Sequence, residues 1–149
     1  MNNAPSPEVK QFIHEHRVGR MATADTNGRP HLIPFCYAYC DPFLYMALDR
    51  KSKQVPIQRL QRVQNIMSNP KVAILIDDYL EDWTRLAFVL LRGQAELISE
   101  GTEHEHAITL LKRKYHQYKK MGIDQCPVIK ITISSYSTWK ENSTPDLNF

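Results

Sequence analysis

The sequence predicts a mainly β fold, a six-stranded antiparallel barrel, closed or partly closed, with short helices at the connections. Three observations predict it. Six apolar or alternating runs recur along the 149 residues, most of them bounded by Gly, Pro, Asn or Asp. The first three follow one another too closely for parallel crossovers, which makes them an antiparallel meander. Helical spacing of apolar residues occurs only in segments outside these runs.

Each element has its own signal. Ser6-Pro7-Glu8 opens a helix with a capping hydroxyl, a proline at the first helical position and an acid at the positive end of the dipole. Val9, Phe12 and Ile13 form its apolar face, and it ends before Gly19. Residues 20–24, RMATA, are the first strand. Asn27-Gly28 is the hairpin signal, because both residues tolerate positive φ. The second strand is HLIPFCYAY, residues 31–39, where Pro34 cannot donate to a ladder and marks an edge, a bulge or an opening. CDP then turns the chain into FLYMALD, residues 43–49, the third strand.

The period changes next. Leu60, Val63, Ile66 and Met67 share one helical face, which stops at Asn69-Pro70. KVAILID, residues 71–77, is apolar nearly throughout, as a strand buried on both faces would be. The acidic DYLEDW leads to a fifth strand over 85–98, in which Gly93 suits a bulge that bends the strand round a barrel. Thr102 and Glu105 have capping-box spacing, ahead of a helix carrying Ala107, Leu110, Leu111, Tyr115 and Tyr118. PVIKITISSYSTW, residues 127–139, alternates into the sixth strand, and 140–149 is a polar tail. A single domain over 1–149, with its core in 7–139, accounts for the whole chain.

Composition narrows the function. Hydrophobic residues at 42% and charged ones at 23% are a globular balance, against wholesale disorder. A net charge of +3 is too small to argue for nucleic acid. No run approaches the roughly 20 apolar residues of a membrane span. The N-terminal residues lack the build of a secretory signal, and three cysteines suit a reducing cytoplasm. Cys36 and Cys40, four apart on one strand, lie about 13 Å from each other and cannot bridge.

Most candidate chemistry falls away. His14-x-His16 and His104-x-His106 sit two apart on helices and point to different sides, so they are expected to be solvated rather than metal ligands. Asp77, Asp78, Glu81 and Asp82 could be paired carboxylates for acid–base work, with an exposed acidic loop the favoured reading. There is no Gly-rich phosphate loop, no G-x-S-x-G and no Cys-His signature, hence no candidate nucleophile. What remains is a basic cluster: Arg50, Lys51 and Lys53, with Arg59 and Arg62 close behind. A strand end, a loop and a helix start can bring backbone N–H groups and cations onto one anion. The alternative is a solvated charged turn.

The order GRMATAD-TNGRPHLIPFCYAY, FLYMALDRKSK, RVQNIMSNPKVAILID, LRGQAELI, ITISSYSTW resembles the pyridoxamine 5′-phosphate oxidase-like, FMN-binding split-barrel family. It is similar to that family's small members that use the deazaflavin coenzyme F-420. The resemblance implies a homodimer of six-stranded split barrels with FMN or the deazaflavin at the subunit interface. It also implies hydride transfer to or from a small organic substrate. It would set His31, Leu32, Ile33 and Pro34 along the ring and Ala47 and Leu48 near the ribityl chain. The phosphate would fall to Arg50, Lys51, Ser52 and Lys53, to Arg59 and Arg62, or to both sets. Two positions depart from the pattern: Ala47 or Leu48 stands where a hydroxyl is common, and Arg62 replaces a lysine before the pair Asn65-Ile66. Because such a cofactor carries the chemistry, no protein nucleophile is needed. Tyr37, Tyr39, Trp83 and Trp139 are candidates for stacking on a substrate or reaching across the dimer, with packing the simpler role. A non-catalytic flavin or haem carrier is the rival reading. Pyridoxamine-phosphate oxidation is less favoured, because no second phosphate site is evident.

Overall fold

The computed structural model describes residues 4–49 and 56–141. Seven strands form one antiparallel sheet: β1 (Gly19–Ala24), β2 (Pro30–Phe35), β3 (Ala38–Cys40), β4 (Phe43–Ala47), β5 (Lys71–Asp78), β6 (Ala87–Ile98) and β7 (Val128–Lys140). Their order is β2-β1-β5-β6-β7-β4-β3. Four helices accompany them: α1 (Pro7–Glu15), α2 (Gln61–Ser68), α3 (Thr102–Lys114) and α4 (Gln117–Met121). The two ends of the sheet order, β2 and β3, are separated in the chain by Cys36 and Tyr37 alone. The sheet therefore curls back on itself, with a seam at those two residues.

The seam is why seven strands stand where six were expected. The run 31–39 changes partner partway, β2 pairing with β1 and β3 with β4. At the break, the hydroxyl of Tyr115 takes the place of a neighbouring strand. It accepts from the Tyr37 N–H at 3.1 Å and lies 2.7 Å from the Arg17 carbonyl oxygen and 3.1 Å from that of Tyr37. Backbone groups that leave a ladder inside a protein need such a substitute. Pro34 sits on β2, an edge in the sheet order, where a missing N–H costs nothing.

Alternation along the strands divides the apolar residues between two cores. Met21, Leu44, Ile74, Ile76, Leu91, Ile129 and Ile131 fill the barrel and are fully buried. On the outside, Tyr45, Ala47 and Val128 pack against Ala107 and Leu111 of α3 and Tyr118 of α4.

Several local expectations hold and others change. Ser6 caps α1, its side chain accepting from the Val9 N–H. The β6–β7 register shifts between Arg92 and Gly93, the bulge that Gly93 announces. The hairpin turn is wider than Asn27-Gly28: Gly28 N–H closes on the Asp25 carbonyl, and Gly28 takes a φ of 78°. Thr102 is not a cap. Gly101, at a φ of 97°, precedes the first turn of α3, and no side chain caps it. The helix expected to run through Tyr118 breaks at Tyr115, whose ring is committed to the seam. Nor are the helix histidines all solvated. His16 stacks on Phe12 and contacts Asp78, and His104 is buried with Nε2 at 2.7 Å from the Cys126 carbonyl oxygen. Among the described residues, no helix is long and apolar enough to cross a membrane.

Lys114 closes the seam from the α3 side. Its Nζ is buried without a hydrogen-bond partner and stands 3.9 Å over the Tyr37 ring. Burial, then the Arg17 charge, lowers its pKa to about 8 from 10.5. Between those values the unfolded chain binds more protons than the folded one, so stability rises with pH. Above pH ~10 the buried tyrosines, all pushed up, oppose the rise. Discounting for its partial exposure, Lys114→Met is expected to stabilise the fold by about 1 kcal/mol at pH 7. Urea melts at pH 7 and pH 10 check this: the wild type gains between them and the variant does not.

Candidate functional site

A helix packs against the β1–β2 hairpin through one polar anchor. Val63 and Ile66 bury the apolar stripe of α2, and Asn65 is buried beside them at 1% exposure. A buried amide must be hydrogen-bonded. Its Nδ2 donates to Thr23 Oγ1 at 2.9 Å, and its Oδ1 accepts from Gln61 Nε2 at 2.8 Å. Thr23 is paired across the ladder with His31. The anchor thus sets α2 at a fixed distance from the start of β2.

Between them lies a cleft of about 220 Å³ lined by Asp25, Arg29, Pro30, His31, Gln61 and Asn65. Asp25 shapes its rim, accepting from the N–H groups of Asn27 and Arg29 and from Arg29 Nε, each at 2.9 Å. The Arg29 backbone bond, above all, holds the Asp25 carboxyl below its usual range. His31 Nδ1 is buried with no hydrogen-bond partner.

One residue along α2 from Gln61, Arg62 is half-buried, and its Nε is also buried without a partner. Burial lowers its pKa, while the carboxylate of Asp49 acts in the opposite sense. Asp49 follows Leu48, just past the end of β4. An unpaired guanidinium N–H out of water is costly, on the order of 1–3 kcal/mol or more. Two such orphaned groups, one on β2 and one on α2, fit a ligand that brings hydrogen-bonding atoms and, at Arg62, negative charge.

The expected site residues are only partly brought together. His31 and Ile33 are half-buried, while Leu32, 67% exposed, and Pro34 alternate onto the outer face of the sheet. Ala47 packs into the α3 cluster and Leu48 into the barrel, so neither side chain is open to a ligand. The Leu48 N–H is committed to the Pro127 carbonyl at 2.9 Å. Arg59 is exposed in a 3-10 turn, Ile57–Arg59, and Arg62 alone of the two is drawn inward. Arg50, Lys51, Ser52 and Lys53 lie outside the described residues. Of the four aromatic candidates, Tyr37 and Tyr39 are buried and Trp139 stacks on Phe88, while Trp83 is 65% exposed.

Sequence reasoning passed over Gln61, Thr23 and the rim pair Asp25–Arg29. Only the rim carried a signal, an acid four residues before an arginine around a turn.

Solved structures of other proteins share this fold. A conserved hypothetical protein of Mycobacterium tuberculosis, Rv2991, shares the fold at a TM-score of 0.73 and 20% identity over 100% of this chain and 95% of that one. An FAD-binding protein of Mesorhizobium loti does so at 0.70 and 20% identity, over 91% and 92% of the two chains. HutZ, the haem storage protein of Vibrio cholerae, does so at 0.69 and 14% identity, over 91% and 94%. No curated protein matches the sequence. The family described as pyridoxamine 5′-phosphate oxidase matches residues 5–140, and to that family this chain belongs.

Proposed function

We propose that the protein binds a phosphorylated flavin or deazaflavin, FMN or coenzyme F-420, between β2 and α2, and transfers a hydride between it and a small organic substrate. The observation that carries this reading is the pair of buried, unpartnered groups, His31 Nδ1 on β2 and Arg62 Nε on α2. Arg62 is the charged anchor for the phosphate, joined by Arg50, Lys51, Ser52 and Lys53 and by Arg59. His31 offers a nitrogen to a polar atom of the ring, and Ile33 an apolar edge. The backbone at Ala47 and Leu48 borders the chain between ring and phosphate. When bound, the tricyclic ring supplies the hydride chemistry. The protein holds the ring, excludes water and leaves one face open to substrate.

A cleft of about 220 Å³ is small for such a ligand, since pockets for small molecules run from roughly 300 to 1,000 Å³. A second copy docked on the exposed outer face of β2, at Leu32 and Pro34, would complete the wall. The site then belongs to a homodimer.

One observation favours a haem carrier: His31 has a ring nitrogen free of hydrogen bonds. That nitrogen is buried, however, and Arg62 answers a phosphate better than a porphyrin. Titration of cofactor-stripped protein with FMN, the deazaflavin and hemin, each at low and high salt, separates the readings. Salt-sensitive binding of FMN or the deazaflavin, by a dimer, is the expected result. Binding of hemin alone would reject it.

A further inference from the structure

β2 and β3 are the two ends of the sheet order, and no ladder joins them. Each has a single strand partner, β1 for β2 and β4 for β3. Among the described residues, side chains close the seam instead. The Tyr115 hydroxyl accepts from the Tyr37 N–H at 3.1 Å and donates to the Arg17 carbonyl at 2.7 Å. The Tyr37 hydroxyl donates to the Ile13 carbonyl of α1 at 2.7 Å. Lys114 lies among these rings. Its Nζ is buried without a hydrogen-bond partner, 3.9 Å from the centre of the Tyr37 ring and 5.5 Å from that of Tyr115. We propose that the seam is the point at which the barrel opens, that Tyr115 is its latch, and that a proton on the buried Lys114 amine loosens it. The device belongs to the barrel itself and needs no cofactor.

A charged amine held out of water with no acceptor is costly, and an aromatic face returns only part of the loss. Opening the seam would return the Nζ to water, so the open form holds the proton more firmly than the closed one. The groups that face Lys114 mostly add to this. Arg17 donates to the Lys114 carbonyl and stands 5.0 Å from the centre of the Tyr115 ring, where its charge repels that of the amine. His14 of α1 is held below 6.5 by burial and then by the charges of Lys114 and Lys10, so it is neutral above pH 7. Cys36 acts in the opposite sense. Burial pushes the Tyr37 and Tyr115 hydroxyls up, that of Tyr115 to about 12, and both stay neutral below pH 10. Burial is also the largest influence on Lys114, which it brings down to about 8 from 10.5. Between those values the open form binds more protons than the closed one, so opening becomes rarer as pH rises. Below that range both forms are protonated and the seam is at its loosest.

If Lys114 only burdened the fold as a whole, the seam would open no more readily than the centre of the sheet. Residue-resolved amide exchange separates the two cases. Protection of the Tyr37 amide is measured at pH 7.5 and 9.0 in wild type, Lys114→Met, Cys36→Ala and Tyr115→Phe. The amides of Val89–Leu91, on a strand paired on both sides, report global unfolding in the same samples. In wild type, Tyr37 is expected to exchange faster than these at both pH values. Its protection should rise about three- to eightfold between them, a range that allows for the partial exposure of the lysine side chain. The rise should vanish in Lys114→Met and persist in Cys36→Ala. Tyr115→Phe should exchange faster at both pH values and keep the rise. A Tyr37 amide as protected as those of Val89–Leu91 would overturn the proposal, as would a rise that survives in Lys114→Met or disappears in Cys36→Ala. Should Tyr115→Phe fail to fold, the other three proteins decide the role of the proton, and Tyr115→Leu or Tyr115→His takes its place for the latch.

Discussion

Replacing Arg62 by alanine is expected to weaken FMN or deazaflavin binding by about 30- to 150-fold while the protein still unfolds cooperatively. The size follows from charge-assisted hydrogen bonds to phosphate, worth about 2–3 kcal/mol here, with tenfold in affinity for each ~1.4 kcal/mol. The sign for stability is the reverse of that for binding. Arg62 Nε is buried and unpartnered in the cofactor-free protein, so its removal relieves a desolvation cost. A variant that melts at or above the wild-type temperature, yet has lost the ligand, would mark Arg62 as a residue kept for binding. Lysine should restore only part of the affinity, since it lacks the planar fork of the guanidinium. Equilibrium titration and thermal melts of the three proteins give both quantities.

The second large effect concerns the fold. Gly93→Ala is expected to destabilise the protein by about 3 kcal/mol and to lower Tm by roughly 10 °C for a chain of this size. A Cβ at Gly93 would stand 2.2 Å from the Thr132 carbonyl oxygen and 3.2 Å from the Ile133 Cα. Both are backbone atoms of β7, so no side chain can rotate out of the way. The register shift between Arg92 and Gly93 lies at this contact, and β6 and β7 form the longest ladder of the sheet. Forcing them apart would disturb the barrel across its middle. Melts of the purified variant check the value, and a shift within ~1 °C would show that the bulge absorbs a side chain.

The two effects also show which parts of this protein are legible in its sequence. The strands are, because alternation and turn residues are local and dominate the pattern. Gly93 is, because a glycine within a long apolar run marks a bulge, a bend or a close backbone approach. The seam is not. The backbone of Tyr37 is satisfied by Tyr115, 78 residues away, and no local pattern tells a continuous strand from one that changes partner. The first turn of α3 shows the limit of cap motifs: Thr102 and Glu105 have the right spacing, but the positive φ of Gly101 starts the helix one residue earlier. In the site, Arg62 stood out as part of a basic cluster. Nothing in that cluster distinguished it from Arg59, because burial separates them and depends on how α2 docks. Asn65 sets that docking, yet in sequence it only interrupts an apolar stripe.

Amide hydrogen exchange on the cofactor-stripped protein, with and without saturating FMN or deazaflavin, tests the central claim most directly. Slowed exchange at residues 31–33 of β2 and 59–65 around the start of α2 is the result predicted for a ligand seated on His31 and Arg62. A ligand that binds tightly while these segments exchange unchanged, with protection confined elsewhere in the barrel, would contradict it.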